Sequence, residues 1–294
     1  MNENFLEIKN LTKDYGNGKG ALDVNISIKP GEIVGFVGPN GAGKSTTMEM
    51  IMSLIEPDNG TRKLFGENIK SREDIQKVIH RIGYLAAEGG LYENLTAMQT
   101  FKYAEQLYGI NVNGEYQRLA TELQLDLDKK IKALSLGNKK KVGIIQSIIH
   151  NPDLVILDEP TSGLDPLIQQ QILKIIKDFS SKGRAIFLSS HNLAEVQSVC
   201  DRVIMIKNAK IIFDDKTENI IHDQGKEIKL INPPKIILDR IRNVIHDDSI
   251  KEAGNEVTLS VKRLHPIIKI LMEYDFEDFY ILKPSLEERF INMY

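Results

Sequence analysis

The chain has 294 residues, of which 41% are hydrophobic, so it is long enough for one large domain and a small one with ordinary cores. Its 38 basic and 41 acidic residues leave a formal net charge of −3, which gives no basic footprint and makes nucleic acid an unexpected partner. Cys200 is the single cysteine and no apolar run reaches the roughly 20 residues of a bilayer span, so we expect a protein of a reducing compartment that meets membranes only by docking.

The start of the chain predicts an antiparallel sheet that leads into a buried strand. Residues 1–5 are polar and acidic, unlike the basic and apolar regions of a secretory signal, so a cytoplasmic location is expected. Three short β-rich runs, separated by turns with glycine and asparagine, lie at 5–9, 24–28 and 33–37. Apolar residues at helical spacing then occupy 48–55, up to a predicted break at 57–60.

The middle of the chain predicts helices inserted into an α/β core. We expect the helical insertion to span about 86–150, and its two clearest helices are predicted at 97–108, with Thr96 as the cap, and at 115–123. Apolar runs typical of buried parallel strands return at 154–157 and 185–188, with a helix predicted between them at 167–179. This alternation of strand and helix indicates an α/β fold.

The last part of the chain predicts a hairpin and then a second, smaller domain. The hairpin spans 203–213 with Asn208 at its turn, and the polar stretch 214–225 is expected to be a linker. Beyond it, a small α+β module is predicted from strands at 226–230, 257–261 and 279–282 and helices at 235–242, 266–274 and 284–294. We therefore expect domains at 1–217 and 218–294.

A glycine-rich loop between a predicted strand and a predicted helix matches the phosphate-binding pattern G-x-x-x-x-G-K-[ST]. Its residues are Gly38, Pro39, Asn40, Gly41, Ala42, Gly43, Lys44 and Ser45, followed by Thr46 in the helix. Such a loop cradles phosphates with backbone N–H groups and with the positive end of the helix. Lys44 is predicted to reach the β- and γ-phosphates of ATP, and Ser45 to supply a hydroxyl to Mg²⁺.

Two adjacent acids follow the apolar strand predicted at 154–157. A buried strand carries such side chains rigidly to the edge of the sheet where phosphates bind. Asp158 is therefore predicted to hold the Mg²⁺ shell, and Glu159 to polarise the attacking water.

Two segments resemble the ABC transporter nucleotide-binding subunits. Residues 159–166, with the sequence EPTSGLDP, are similar to the junction of Walker B and D-loop, and residues 134–138, LSLGN, are similar to the signature that precedes it by a short helix. The resemblance covers nearly all of 5–213. It implies a P-loop NTPase core of the RecA-like ABC ATPase type, with an antiparallel β subdomain and a helical insertion. It also implies an ATP-binding and ATP-hydrolysing motor at the cytoplasmic face of a membrane, served by a permease on a separate chain.

The resemblance assigns further roles to individual residues. Two cassettes of this family, identical or different, pair head to tail, so Ser135, Gly137 and Asn138 are expected to contact the γ-phosphate held by the partner cassette. His191 occupies the place of the switch histidine that bridges γ-phosphate and catalytic glutamate, and Tyr15 the place of the aromatic that stacks on adenine. Asp165, in the D-loop, completes the expected nucleotide-binding set. The lysine run 139–141 is interpreted as a solvated helix face rather than a phosphate contact.

The chain departs from the family pattern at the Q-loop. The expected Gln, a ligand of Mg²⁺ and water beside the helical insertion, aligns with Ala87, although Glu88 could substitute after a shift of one residue. Altered hydrolysis or altered coupling to the membrane is the other interpretation. The signature also departs, with Leu136 and Asn138 in place of Gly and Gln, as in exporters with type-2 permeases.

Three functions follow from these patterns. The leading one is export of a peptide, toxin, antimicrobial compound or drug, which the resemblance of 284–290 to the tails of type-2 exporters favours. A non-transport ABC ATPase acting on ribosomes or DNA is the second, but such proteins carry paired cassettes, long coiled coils or zinc cysteines, which are not found here. A weakly hydrolysing regulator is the third, motivated by Ala87 and opposed by Glu159 and His191.

Overall fold

The computed structural model describes seven stretches of the chain, which are 3–87, 90–112, 114–219, 226–245, 249–261, 263–274 and 278–282. The chain divides into two compact units, Met1–Asp215 and Lys216–Tyr294. No helix within the described stretches is long and apolar enough to cross a membrane.

The helices and strands follow in chain order: β1 (Leu6–Gly16), β2 (Lys19–Ile28), β3 (Ile33–Val37), α1 (Lys44–Ile51), β4 (Asn59–Leu64), β5 (Glu67–Asn68), α2 (Arg72–Val78), β6 (Ile82–Leu85), α3 (Ala97–Tyr108), α4 (Glu115–Glu122), α5 (Leu136–Ile148), β7 (Leu154–Leu157), α6 (Pro166–Ser180), β8 (Ala185–Ser190), α7 (Leu193–Val199), β9 (Arg202–Lys207), β10 (Lys210–Lys216), β11 (Lys226–Ile231), α8 (Lys235–Arg242), β12 (Ile250–Ala253), β13 (Glu256–Val261), α9 (Leu264–Leu271) and β14 (Asp278–Leu282).

The first sheet is antiparallel, with the strand order β2-β1-β4-β5. Asn17 and Gly18 turn β1 into β2 with positive φ angles of 54° and 72°, the backbone that an Asn-Gly hairpin turn requires. The break predicted at 57–60 was wrong in its extent, because β4 already begins at Asn59. Gly60 reads as a turn residue but lies inside this strand, where a Cβ would come within 2.5 Å of the Asn10 carbonyl oxygen.

The second sheet forms the α/β core, with the strand order β10-β9-β3-β8-β7-β6. Strands β9, β3, β8, β7 and β6 run parallel to one another, and every residue of β3, β7 and β8 is buried. Burial on both faces explains why these strands are continuous apolar runs in the sequence. The α/β fold with an antiparallel subdomain is therefore confirmed, and the parallel strands end together at one edge of the sheet.

The helical insertion is confirmed as a pair of helices, α3 and α4, followed by α5. Thr96 caps α3 in a capping box, accepting a hydrogen bond from the Gln99 N–H while the Gln99 side chain bonds back to the Thr96 N–H. Gly109 ends α3 with a left-handed φ of 62°. Ser135 caps α5 through its side chain, so the signature segment lies at the start of a helix, as expected.

The opposite edge of the core sheet, where the parallel strands begin, is held by one carboxylate. Asp153 precedes β7 and binds Arg81 Nε before β6 at 2.6 Å and Arg184 Nη1 before β8 at 2.5 Å. The guanidinium of Arg81 also lies 3.8 Å from the centroid of the Phe65 ring. One side chain thus joins the starts of three adjacent strands.

The second unit contains an antiparallel sheet with the order β12-β13-β11-β14. Alternate residues of β11 and β13 are buried together with one face of α8 and one face of α9. The predicted strands and the helices at 235–242 and 266–274 are confirmed, with shifts of a few residues at their ends. The predicted linker begins instead as the end of β10, while the predicted helix at 284–294 lies outside the described residues.

We predict that Asp153→Asn destabilises the first unit by about 1–2 kcal/mol, because two guanidinium groups lose their shared carboxylate and are left close together. The groups are partly exposed, so the loss should shrink at high salt. Urea unfolding of the purified chain measures it, with Asp178→Asn, an exposed site on α6, as the control. Equal unfolding free energies for the two variants would contradict the proposed role of Asp153.

Candidate functional site

The glycine-rich loop joins β3 to α1 and folds around the side chain of its own lysine. Lys44 is buried, and its Nζ donates hydrogen bonds to the carbonyl oxygens of Gly38 at 2.7 Å and Pro39 at 3.2 Å. Gly43 has a φ of 110°, and a Cβ there would come within 2.1 Å of the Gly20 carbonyl oxygen. The loop therefore needs glycine at this position, both for its backbone conformation and for its contact with β2.

The other loop residues vary in exposure. Pro39, Asn40 and Gly41 are exposed, Ala42 is buried, and Ser45 and Thr46, in the first turn of α1, are half-buried. Thr46 is followed by Thr47, whose hydroxyl donates to the Gly43 carbonyl at 2.8 Å and so is occupied within the helix.

A serine that the sequence analysis missed organises the two adjacent acids. Asp158 follows β7 and is 2% exposed, and Ser189 of the neighbouring strand β8 donates its hydroxyl hydrogen to Asp158 Oδ1. The same hydroxyl oxygen accepts the Glu159 N–H at 2.9 Å. The signal that could have identified Ser189 is its position in the apolar strand just before His191, where a buried hydroxyl needs a partner.

The carboxylate of Glu159 lies between two of the predicted site residues. Its Oε2 is 2.8 Å from His191 Nδ1, and its Oε1 is 3.4 Å from Lys44 Nζ. Oε1 is buried and accepts no hydrogen bond from the described residues. The fold therefore brings Lys44, Glu159 and His191 together, although they are distant in the sequence.

The surroundings of Asp158 favour a cation. The pKa of Glu49 is raised, chiefly by burial and secondly by the nearby charge of Asp158. The pKa of Tyr84 is also raised, chiefly by burial and then by the charges of Asp158 and Glu49. Glu49 and Tyr84 thus both lie near the Asp158 carboxylate. Carboxylate and hydroxyl oxygens such as those of Asp158 and Ser45 are ligands that suit Mg²⁺. Among the described residues, no group of three or more His, Cys, Asp or Glu side chains is arranged to hold a metal ion.

A buried polar layer lies beside this cluster. Glu195 of α7 accepts hydrogen bonds from Thr161 Oγ1 at 2.6 Å and Ser190 Oγ at 3.3 Å. Lys140 of α5 donates from Nζ to the main-chain oxygen of Glu159. These contacts join α5, α7 and the segment after β7 behind the Glu159 carboxylate.

The interpretation of 139–141 as a solvated helix face was wrong. Lys140 and Lys141 are each only 8% exposed, whereas Lys139 is less buried and pairs with Glu93 at 3.1 Å. Consecutive helical residues are about 100° apart, so a helix that packs closely on the core sheet must turn part of such a run inward. Burial lowers the pKa of Lys141, as expected for an ammonium group inside the protein.

Four predicted binding residues stand apart from the cluster. Tyr15 is 53% exposed at the end of β1, and Ser135, Gly137 and Asn138 form the start of α5. Within the described stretches, no hydrogen bond or ion pair joins them to Lys44, Glu159 or His191.

Two further positions complete the inventory. Asp165 caps α6, with its Oδ1 accepting the Ile168 N–H at 3.1 Å. Ala87 lies half-buried just after β6 and its methyl side chain offers no ligand, while Glu88 lies outside the described residues.

Comparison with known proteins identifies the family. Residues 21–162 match the family described as ABC transporter. The chain is 31% identical to the bacitracin transport ATP-binding protein BcrA of Bacillus licheniformis, over 94% of this chain and 96% of that protein. It is 38% identical to the lantibiotic transport ATP-binding protein SrtF of Streptococcus pyogenes, over 74% of this chain and 94% of that protein.

Solved structures agree with this assignment. A structure described as the ATP-binding subunit of an ABC transporter matches with a TM-score of 0.67 and 32% identity, covering 74% of this chain and 92% of that chain. The cassette MJ0796, solved in a post-hydrolysis state with ADP and Pi, matches in fold with a TM-score of 0.65 at 24% identity, covering 72% of this chain and 98% of that chain. The chain therefore belongs to the ABC transporter family, as an ATP-binding subunit with an ABC ATPase domain.

Proposed function

We propose that this chain is the motor of an exporter for peptides, toxins, antimicrobial compounds or drugs, working through a permease on a separate chain at the cytoplasmic face of the membrane. The observation that carries the motor role is the Glu159 carboxylate, 2.8 Å from His191 Nδ1 and 3.4 Å from Lys44 Nζ. The cargo class rests on the relatives, which are described as transport proteins for bacitracin and for a lantibiotic.

Each residue of the cluster has a role in this proposal. Glu159 accepts a proton from the attacking water, and His191 fixes the carboxylate and contacts the γ-phosphate. Lys44 leaves its loop carbonyls for the β- and γ-phosphate oxygens. Ser45 and Asp158 would hold Mg²⁺, which supplies charge neutralisation on the phosphates when it is bound.

The remaining nucleotide contacts are divided between two chains. Gly38 to Thr46 surround the phosphates and Tyr15 stacks on the adenine of the same ATP. Ser135 and Leu136 at the start of α5 are exposed, and the first N–H groups of a helix lack acceptors within the helix, which suits an anion on a second cassette. We propose that Ser135, Gly137 and Asn138, together with Asp165, complete the site of a facing cassette in a head-to-tail dimer.

We expect Glu159→Gln to lower the ATPase kcat by about 10²–10⁴-fold while ATP binding is retained, because the amide keeps the shape but cannot accept the proton. Steady-state hydrolysis and binding of a fluorescent ATP analogue measure the two effects. Glu73→Gln, an exposed site on α2, is the control. A variant that hydrolyses ATP at the wild-type rate would exclude the assigned role of Glu159.

Export is tested in cells that contain the chain and its membrane subunit. Cells with the wild type should accumulate less labelled bacitracin or lantibiotic than cells with Lys44→Ala, which loses the phosphate contact. Lys63→Ala, exposed on β4, should behave as the wild type. Equal accumulation of both compounds in all strains would reject the proposed cargo class without affecting the ATPase assignment.

The position of Ala87 allows a test of coupling to the membrane subunit. Ala87→Gln should raise the ATPase rate or change its stimulation by the membrane subunit, because it restores an amide that can bind Mg²⁺ and water. The rate is measured with and without the membrane subunit, beside Ala253→Gln at an exposed site on β12. If both rates equal the wild type, Ala87 has no influence on coupling.

A further inference from the structure

Lys140 occupies an unusual position for a lysine. It lies on α5, is 8% exposed, and its Nζ donates to the main-chain oxygen of Glu159. Burial lowers the pKa of Lys140, and the nearby carboxylates of Glu159, Asp158 and Glu195 oppose this shift. Burying an ammonium group is costly unless acceptors take its hydrogen bonds and nearby carboxylates balance its charge. For Lys140, the acceptor is the main-chain oxygen of Glu159, and Glu159 and Asp158 supply carboxylates.

The peptide group that Lys140 binds is itself constrained. Glu159 has a φ of 49°, in the left-handed region that a residue with a side chain rarely adopts. Its N–H is held by Ser189 Oγ at 2.9 Å, and its carbonyl accepts from Lys140 and from the Ser162 N–H at 3.4 Å. Contacts on both sides of the residue therefore maintain the conformation that directs its carboxylate towards His191 and Lys44.

The same helix begins with the signature segment. Lys140 is five residues after Ser135, so along a helix with a 1.5 Å rise per residue it lies about 7–8 Å from the cap. Gly137 provides a second contact near the start of α5, since a Cβ there would come within 2.9 Å of Leu164 Cδ2. A short rigid helix thus connects Ser135 to Glu159 of the same chain.

We propose that Lys140 is a positioning residue that couples the start of α5 to Glu159, so that the ATP bound by a facing cassette orients the catalytic carboxylate of this one. This inference rests on the proposed head-to-tail dimer. When the γ-phosphate of the facing cassette binds Ser135, α5 is fixed, and Lys140 fixes the Glu159 peptide in turn. Each chain would then hydrolyse its ATP only when the other site is occupied.

The test variant is Lys140→Met, which removes the N–H donor and keeps a side chain of similar length. Lys140→Gln keeps an N–H donor but removes the charge. Lys139→Met, on the same helix, is the control. Lys140→Met should lower kcat at least about tenfold, with KM for ATP changed less than about twofold, and should reduce the Hill coefficient for ATP towards 1. Lys140→Gln should recover part of kcat, and Lys139→Met should match the wild type.

A double variant tests the connection itself. If Lys140 and Ser135 act through one helix, adding Lys140→Met to Ser135→Ala should lower kcat little beyond the larger single effect, whereas independent roles give multiplied losses. Multiplied losses, or a wild-type kcat and Hill coefficient in Lys140→Met, would overturn the inference. If Lys140→Met does not fold, as thermal unfolding shows, the folded Lys140→Gln variant decides: a lowered kcat with a lowered Hill coefficient supports the inference, and wild-type values of both overturn it.

Failure of this inference is distinguishable from failure of the proposed function. If Glu159→Gln is inactive while Lys140→Met hydrolyses ATP normally, the motor assignment stands and only the coupling through Lys140 is rejected. If Glu159→Gln is fully active, the proposed function itself is rejected.

Discussion

The structure depends on the placement of β8 between β3 and β7 in the core sheet. Parallel strands end at the same edge of the sheet. This edge therefore brings together three segments that are distant in the sequence: the glycine-rich loop after β3, the acids after β7 and the histidine after β8. Burial of all three strands on both faces makes their ends rigid. The distances among Lys44, Glu159 and His191 are a consequence of strand order.

Beside these strand ends, side chains with no direct part in the chemistry hold the reacting groups. Ser189 satisfies Asp158 and the Glu159 N–H with a single hydroxyl, and Glu195 performs a similar role for Thr161. Networks of this kind stabilise one arrangement when every partner is satisfied and are costly when one is missing. Glu159 Oε1 is the exception among the described side chains at this edge, since it is buried and accepts no hydrogen bond. This oxygen lies 3.4 Å from Lys44 Nζ, so the charge of the ammonium group compensates for its burial.

The sequence was sufficient for the features that short segments determine. The loop around Lys44 and the cap at Thr96 depend on residues a few positions apart, and both were predicted. Features that depend on distant packing were not. Lys140 and Lys141 form a charged run whose burial is decided by the sheet beneath α5, and Gly60 reads as a turn although it lies in a strand. The acidic pair at the end of β7 was predicted, but its partner Ser189 lies on another strand, and the contact between them depends on the order of strands in the sheet.

The carboxylate of Asp153 has a mechanical consequence. It fastens the starts of β6, β7 and β8, whereas Glu159 and His191 follow the opposite ends of β7 and β8. Because the strands are also hydrogen-bonded to one another along their length, any movement that nucleotide induces should be smallest at the edge that Asp153 fastens and larger in the segments after the strands, where Glu159 and His191 lie.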